Sequence, residues 1–343
     1  FWGPEKGNPM STKPKVAAPL HEDQGTHTDI VFMCLPLVAM AVFFYGPRPA
    51  LLCAVAVITA NLCDRLVALL RGQKYEKGEW SSEAFALLVT LMMPATASYY
   101  MVIIGTLAAV LVGKEAFGGY GAYLFHPAAV GYAVVAVSWS GRMFAYPDTS
   151  LFAFLPLGSV SGVSLVESPS HMLREGGLPT IDTVDLVLGN YAGPMGTTVL
   201  LVILACALYL IHRRRMGLVA PLCFIFACAF MAFFFPRLGD LAFAAPWEHL
   251  LERLDVVKYE ICTGGVLFAA VFLINDPVTL PKSTASRAVY GLVLGVATML
   301  FRYYGTYETG VCFALLAVGA VSGWMDRAVQ RAIHRKGVVR REY

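Results

Sequence analysis

The chain has 343 residues, of which 57% are hydrophobic and only 14% charged, with a mean hydropathy of +0.63. Soluble domains carry about a quarter charged residues, so this balance excludes an ordinary water-soluble protein and specifies a polytopic membrane protein. A net charge of +3 gives no footprint for nucleic acid, which leaves the lipid bilayer as the first partner.

In chain order, residues 1–29 are polar and are predicted to form a cytoplasmic N-terminal arm, with Met10 as the expected natural start and no cleavable signal. Apolar runs at 30–45, 50–70, 81–94, 97–113 and 127–140 build a first membrane half over 30–140. Residues 141–194 form a long Ser-, Gly- and Pro-rich connection on the outer face. Ordinary connections run about 4–6 residues, so a loop of this size carries function or docks a partner. Runs at 195–211, 218–235, 262–274, 288–301 and 311–324 make a second half over 195–324, and 325–343 is a basic cytoplasmic tail. Between the seventh and eighth runs, 236–261 reads as a short amphipathic segment, with Trp247, Leu250 and Leu251 alternating with Glu248, Glu252 and Arg253.

The predicted fold is therefore all-α, with about ten transmembrane helices. Threading the N-terminus inside leaves only Arg48, Arg142, Arg174, Arg237, Arg253, Lys258 and Arg302 outside, and the remaining Lys and Arg face the cytoplasm. That asymmetry follows the positive-inside rule and puts both termini in the cytoplasm. Two five-helix halves must run in opposite directions, which predicts an inverted repeat. Arg213, Arg214 and Arg215 read as a topology anchor.

Two stretches interrupt the oily pattern: 118–131, from Gly118 through Tyr123, His126 and Pro127 to Gly131, and Asn275-Asp276-Pro277-Val278-Thr279. Broken backbone at membrane depth is tolerated only where protein or a cavity satisfies it, so both mark places where something other than lipid is handled. Pro277 is expected to open a helix, and Asp276 either caps it or joins its free N–H groups at a cofactor. Thr279 and Thr197/Thr198 are expected to face the same interior. Glu83 lies inside an apolar run and carries an ion-linked reading, whereas Asp64, beside Arg65, and Glu115 read as interfacial. The eight cysteines stand singly without ligand spacing and read as small hydrophobes. Hydrolytic motifs are absent from the sequence.

Five motifs in order give the chain a resemblance to the RnfD/NqrB family: Val112-Gly113-Lys114-Glu115-Ala116-Phe117-Gly118-Gly119, His126-Pro127-Ala128-Ala129-Val130-Gly131, Gly193-Pro194-Met195-Gly196-Thr197-Thr198, Asn275-Asp276-Pro277-Val278-Thr279, and Tyr307-Glu308-Thr309-Gly310-Val311-Cys312-Phe313-Ala314. Length and a short N-terminal arm resemble RnfD more than NqrB. The resemblance implies covalent FMN, joined through its phosphate to an outer-face hydroxyl. The family pattern Asp-Gly-x-Ser/Thr-Gly-Ala-Thr aligns with Gly158 to Ser164: Ser161 and Gly162 match, Gly158 replaces the acid, Val163 replaces Ala, and Ser164 replaces the acceptor Thr. Ser164 can form the same phosphoester. In the loop 118–131 the family tends to show two Asn where this chain has Tyr123 and His126. An aromatic ring and an imidazole there offer contacts to a second, noncovalent flavin such as riboflavin.

The function so implied is a flavin-carrying membrane subunit of an Rnf-type complex, relaying electrons between ferredoxin and NAD with coupled Na+ or H+ translocation. It would sit in a bacterial or archaeal cell membrane among other membrane and peripheral subunits, including an outer-face flavoprotein. The chain has no nucleotide-binding fingerprint and no complete active site of its own. The alternatives are a urea-type channel or solute transporter without a redox role, and an NqrB-like subunit of a quinone-reducing sodium pump.

Overall fold

The computed structural model describes residues 20–72, 80–149, 154–160, 162–237 and 249–339. Helices occupy all ten apolar runs, and their lengths differ. α1 (Leu20–Tyr45), α2 (Arg48–Leu70), α4 (Tyr99–Leu107, continued by a π-turn over Ala108–Lys114), α13 (Thr284–Tyr304) and α14 (Val311–Val339) contain the five stretches long and apolar enough to cross a membrane. A bent pair, α11 (Leu250–Cys262) and α12 (Val266–Phe268, continued by a π-turn over Ala269–Leu273), turns by 55° and makes a sixth if it is one span. α3 (Ser81–Leu91), α5 (Pro127–Ser138), α9 (Leu200–His212) and α10 (Val219–Phe234) are shorter. At 1.5 Å per residue, the 11 residues of α3 reach about 17 Å, roughly half the hydrocarbon thickness.

Several boundaries move from those expected. α1 starts within the predicted polar arm, at Leu20, and α14 continues to Val339 instead of stopping at 324. In the amphipathic segment, Trp247 and Glu248 lie outside the described residues. Arg253 is not on a solvated face, because it is buried and donates to the Phe233 carbonyl at 2.7 Å.

Short and long helices have different burial. Every residue of α3 is buried, as is most of Val266–Leu273. A helix apolar on all sides belongs at the centre of a bundle. The long helices keep one face outward: Leu51, Ile58, Leu62, Leu66 and Leu69 of α2 are all exposed. Where helices cross closely, side chains are removed. A Cβ at Gly291 would stand 2.4 Å from the Ala220 carbonyl oxygen, and one at Gly295 2.7 Å from that of Phe224, so α13 lies against α10 through a small-xxx-small face.

The connection 141–194 is structured. It holds α6 (Ser140–Met143), α7 (Pro169–Arg174), α8 (Thr183–Leu188) and a two-stranded ladder in which β1 (Tyr146–Pro147) pairs antiparallel with β2 (Leu165–Val166), Tyr146 opposite Val166. Its contacts gather at one end of the bundle, where Leu155 N–H meets the Tyr45 carbonyl and Ser168 donates to Glu308. The opposite end gathers Asp29, Glu115, Tyr123, Arg213, Arg215 and Asp276. The broken segments satisfy one another: Gly196 N–H donates to Leu91 O and Met195 N–H to Met93 O. That is how irregular backbone is accommodated inside an apolar protein.

Candidate functional site

Arg48 organises the end beneath the long connection. It is buried at the start of α2, and four carbonyls from two segments receive its guanidinium: Nε to Ala95 (3.0 Å), Nη2 to Ala97 (2.9 Å), and Nη1 to both Pro156 and Gly158 (2.8 Å each). A planar fork with five donors suits this task, and a lysine does not. The effect is to pin the 156–158 segment to the break after α3. The Tyr99 hydroxyl adds a bond to Leu157 O at 2.7 Å, and its ring lies 5.2 Å from the Arg48 guanidinium.

These contacts frame a cleft of about 550 Å³, lined among others by Arg48, Tyr99, Tyr100, Arg142, Ser159 and Val163. The volume falls in the range of cofactor sites, roughly 300–1,000 Å³. Arg142 is exposed and, among the described residues, is held by the Tyr100 hydroxyl at 2.8 Å, with further donors to spare there. Ser164 is exposed and sits between Val163 and Leu165, both of which line the cleft. Its carbonyl accepts from Asp148 N–H at 3.2 Å, which fixes it at the start of the β ladder. Gly162 has φ +92° with open space beyond its Cα, so it supplies a turn that other residues enter only with strain. Ser161 lies outside the described residues.

At the opposite end, the two polar breaks meet. Tyr123 Oη donates to Asp276 Oδ1 at 2.8 Å across 153 positions of sequence, and Thr279 donates to Asp276 Oδ2 from both its N–H (3.0 Å) and its hydroxyl (2.9 Å). Asp276 caps one turn, not a helix: Leu280 N–H returns to Asp276 O, and α13 begins later at Thr284 with Ser283 as its cap. The expected helix opening at Pro277 is therefore replaced by a turn, since Pro281 interrupts the backbone before a helix can continue.

Phe85 sits among the rings of this cluster, edge-on to His27 (5.2 Å), His126 (5.5 Å) and Tyr123 (5.7 Å). His27 Nε2 stands 3.6 Å from Asp276 Oδ1, and both side chains are buried. Local pattern does not single out His27, because it lies in the stretch expected to be a polar arm; the run 26–35, free of Gly and Pro, is the available signal that α1 starts earlier. Thr197 does not share this interior with Thr279. It lies at the other end, near Tyr191, Thr263, Glu308 and Thr309.

Two further buried networks flank the core. Lys114 donates to Ser82 Oγ at 2.9 Å, Ser82 donates to Asp64 at 2.8 Å, and Lys114 lies 3.8 Å from Asp64. Glu115 pairs with Arg71 at 2.9 Å, as befits an interfacial group. Glu83 is buried beside this network. At the other end Arg302 meets Glu260 at 2.9 Å and donates to Ser170 and Thr263 hydroxyls at 2.9 and 3.0 Å. Arg302 and Glu260 do not stand out in the sequence, since nothing local distinguishes a buried arginine from an interfacial one.

A bundle of long lipid-facing helices around short, broken, buried ones, with polar clusters at both ends, defines a multi-pass membrane protein. The NQR2, RnfD, RnfE family profile matches residues 10–335, and the chain belongs to that family. Among its relatives, the D subunit of an ion-translocating oxidoreductase complex from Actinobacillus succinogenes is 26% identical over 318 residues, covering 84% of this chain and 86% of the relative. The D subunit of a proton-translocating ferredoxin:NAD(+) oxidoreductase complex from Clostridium ljungdahlii is 25% identical, with 86% of each chain covered. Its Na(+)-translocating counterpart from Acetobacterium woodii is 24% identical, with 97% of each chain covered.

Proposed function

We propose that this chain is the flavin-carrying membrane subunit of an Rnf-type ion-translocating oxidoreductase, with FMN esterified through its phosphate to Ser164. The single observation that carries the reading is a cleft lined by both neighbours of the exposed Ser164, Val163 and Leu165, though not by Ser164 itself. The residues of the cleft fit the group: Arg142 offers free donors to a phosphate, Tyr99 and Tyr100 offer rings to an isoalloxazine, and Arg48 holds the 156–158 segment in place. Bound FMN would supply the redox chemistry, and this chain would supply attachment, orientation and exclusion of lipid. A second flavin beside Tyr123 and His126 has weaker support, because Tyr123 spends its hydroxyl on Asp276 and both rings pack against Phe85.

Two features support ten crossings in inverted halves. α3 and α12 are both short and buried, and each ends in a Pro-x-Thr turn, Pro94-Ala95-Thr96 and Pro277-Val278-Thr279. Lys114 closes α4 and reaches Ser82 at the start of α3; Arg302 closes α13 and reaches Thr263 just before α12, at the opposite end. The end that carries Arg65, Arg71, Lys114, Arg213–Arg215, Lys282, Arg287, Arg327 and Arg331 reads as cytoplasmic by the positive-inside rule, which would put both termini inside and Ser164 outside. Relatives named for proton and for sodium translocation leave either ion open to this chain. Ferredoxin and NAD chemistry would belong to partner subunits.

In-gel flavin fluorescence of the denatured chain from native membranes tests the reading. The wild type and Ser164→Thr should fluoresce and Ser164→Ala should not. A dark wild type, or a bright Ser164→Ala, overturns it.

A further inference from the structure

A second cleft, of about 690 Å³, opens at the end of the bundle opposite Ser164, where the turn after α9 meets the start of α13. Arg213, Arg214, Arg215 and Arg287 line it together with Gly217 and Asn275. Asp29 lies within ion-pair distance of two of them, 3.4 Å from Arg213 and 3.2 Å from Arg215. Arg214 makes no side-chain hydrogen bond or ion pair among the described residues. Among the described residues Arg287 commits its Nε alone, to Pro281 O at 2.8 Å.

Three further observations point to a ligand. Among the described residues Arg214 is the non-glycine one held at positive φ, +56°. Arg215 N–H bonds back to Leu210 O, the helix ending in which the left-handed position normally falls to Gly. An arginine there costs about 1–2 kcal/mol of backbone strain, and a topology anchor has no need of that position in particular. Gly25 of α1 leaves room for Arg215, since a Cβ would stand 2.3 Å from its Nη2. Asn275 is nine-tenths buried and donates Nδ2 to Ala270 O at 3.1 Å, yet its Oδ1 has no partner among the described residues. Guanidiniums recognise a phosphate, and an unspent amide oxygen recognises a hydroxyl beside it.

We infer that this cleft binds a hydroxyl-bearing phosphate ester, its phosphate held by Arg214 and Arg287 and its alcohol by Asn275. Basic pockets between helices at a membrane face take anionic lipid headgroups, and the apolar faces of α9 and α10 beside this one, Leu204, Leu208 and Leu222, are exposed to receive acyl chains. A glycerol-phosphate headgroup is one source of this chemistry, and a soluble polyol phosphate is the other.

The test uses the full-length chain, measuring thermal unfolding and native mass spectrometry with added phosphatidylglycerol, phosphatidylcholine or glycerol 1-phosphate. Phosphatidylglycerol should raise the melting temperature by about 3 °C or more and remain bound in the gas phase. Arg214→Gly and Arg287→Gln should each weaken binding about fivefold. Arg214→Gly also controls for folding, because Gly relieves the strain, so the unliganded variant should melt no lower than the wild type. Stabilisation by glycerol 1-phosphate but not by the lipid keeps the site and assigns the soluble source. Equal stabilisation by phosphatidylcholine, no response to either phosphate ester, or full binding by both variants overturns the inference.

Discussion

Arg48→Met removes the donor set that joins the 156–158 segment to the break after α3. Four carbonyls lose their partner at once, those of Ala95, Ala97, Pro156 and Gly158, and the Ala95 and Ala97 bonds are fully buried. Hydrogen bonds to a charged group are worth about 1.5–3 kcal/mol each, but they are not additive, and the segment's carbonyls regain water when the segment lifts. Counting only the two buried bonds, to Ala95 and Ala97, and allowing for non-additivity, the expected loss is about 3–5 kcal/mol. At roughly 2–4 °C per kcal/mol, the melting temperature in detergent should fall by about 6–20 °C. Flavin fluorescence at Ser164 should fall with it, because the cleft loses one wall. Arg48→Lys keeps the charge but not the fork, so it should recover less than half of the loss. Melting of Arg48→Met with the wild type, or full rescue by lysine, would refute the clamp.

Two further predictions concern the polar clusters. Asp276→Ala strands the Tyr123 hydroxyl and the Thr279 N–H, and should cost about 2–3 kcal/mol in chemical unfolding, whereas Asp276→Asn retains an acceptor and should cost less; equal stability of Ala and wild type would count against the junction. Burial raises the Glu308 carboxyl above its usual range, with the Ser168 hydroxyl bond working the other way. A folded-state pKa above the unfolded one means that ionisation opposes folding, so this group favours stability below the ordinary carboxylate range and costs it once pH exceeds the raised value. Glu308→Gln should therefore raise the melting temperature more at pH 8 than at pH 5, and the reverse order would exclude that sign.

Asp276 stands out in the sequence as a candidate because it lies in a short polar break of an apolar pattern, and Ser164 as a candidate because 158–164 resembles a family motif; both signals are visible in a window of a few residues. Their surroundings are not. Arg48 reads as one of seven outer-face cations, and nothing in its neighbours Pro47 and Pro49 says that four carbonyls from two distant segments converge on it. Arg253 and Arg302 read the same way and are buried. His27 falls in an expected polar arm that is helix, and Pro277 in an expected helix start that is a turn.

Hydropathy, charge asymmetry and Pro/Gly placement are properties of single segments, so the amino-acid order alone established a helical membrane protein, the positions of its apolar runs and the two polar interruptions. Which helices are short and central, which arginines are buried, and that Tyr123 reaches Asp276 are decided by packing between segments over a hundred residues apart. Such contacts depend on how whole helices cross, through faces like Gly291 and Gly295, and no local pattern encodes the crossing partner.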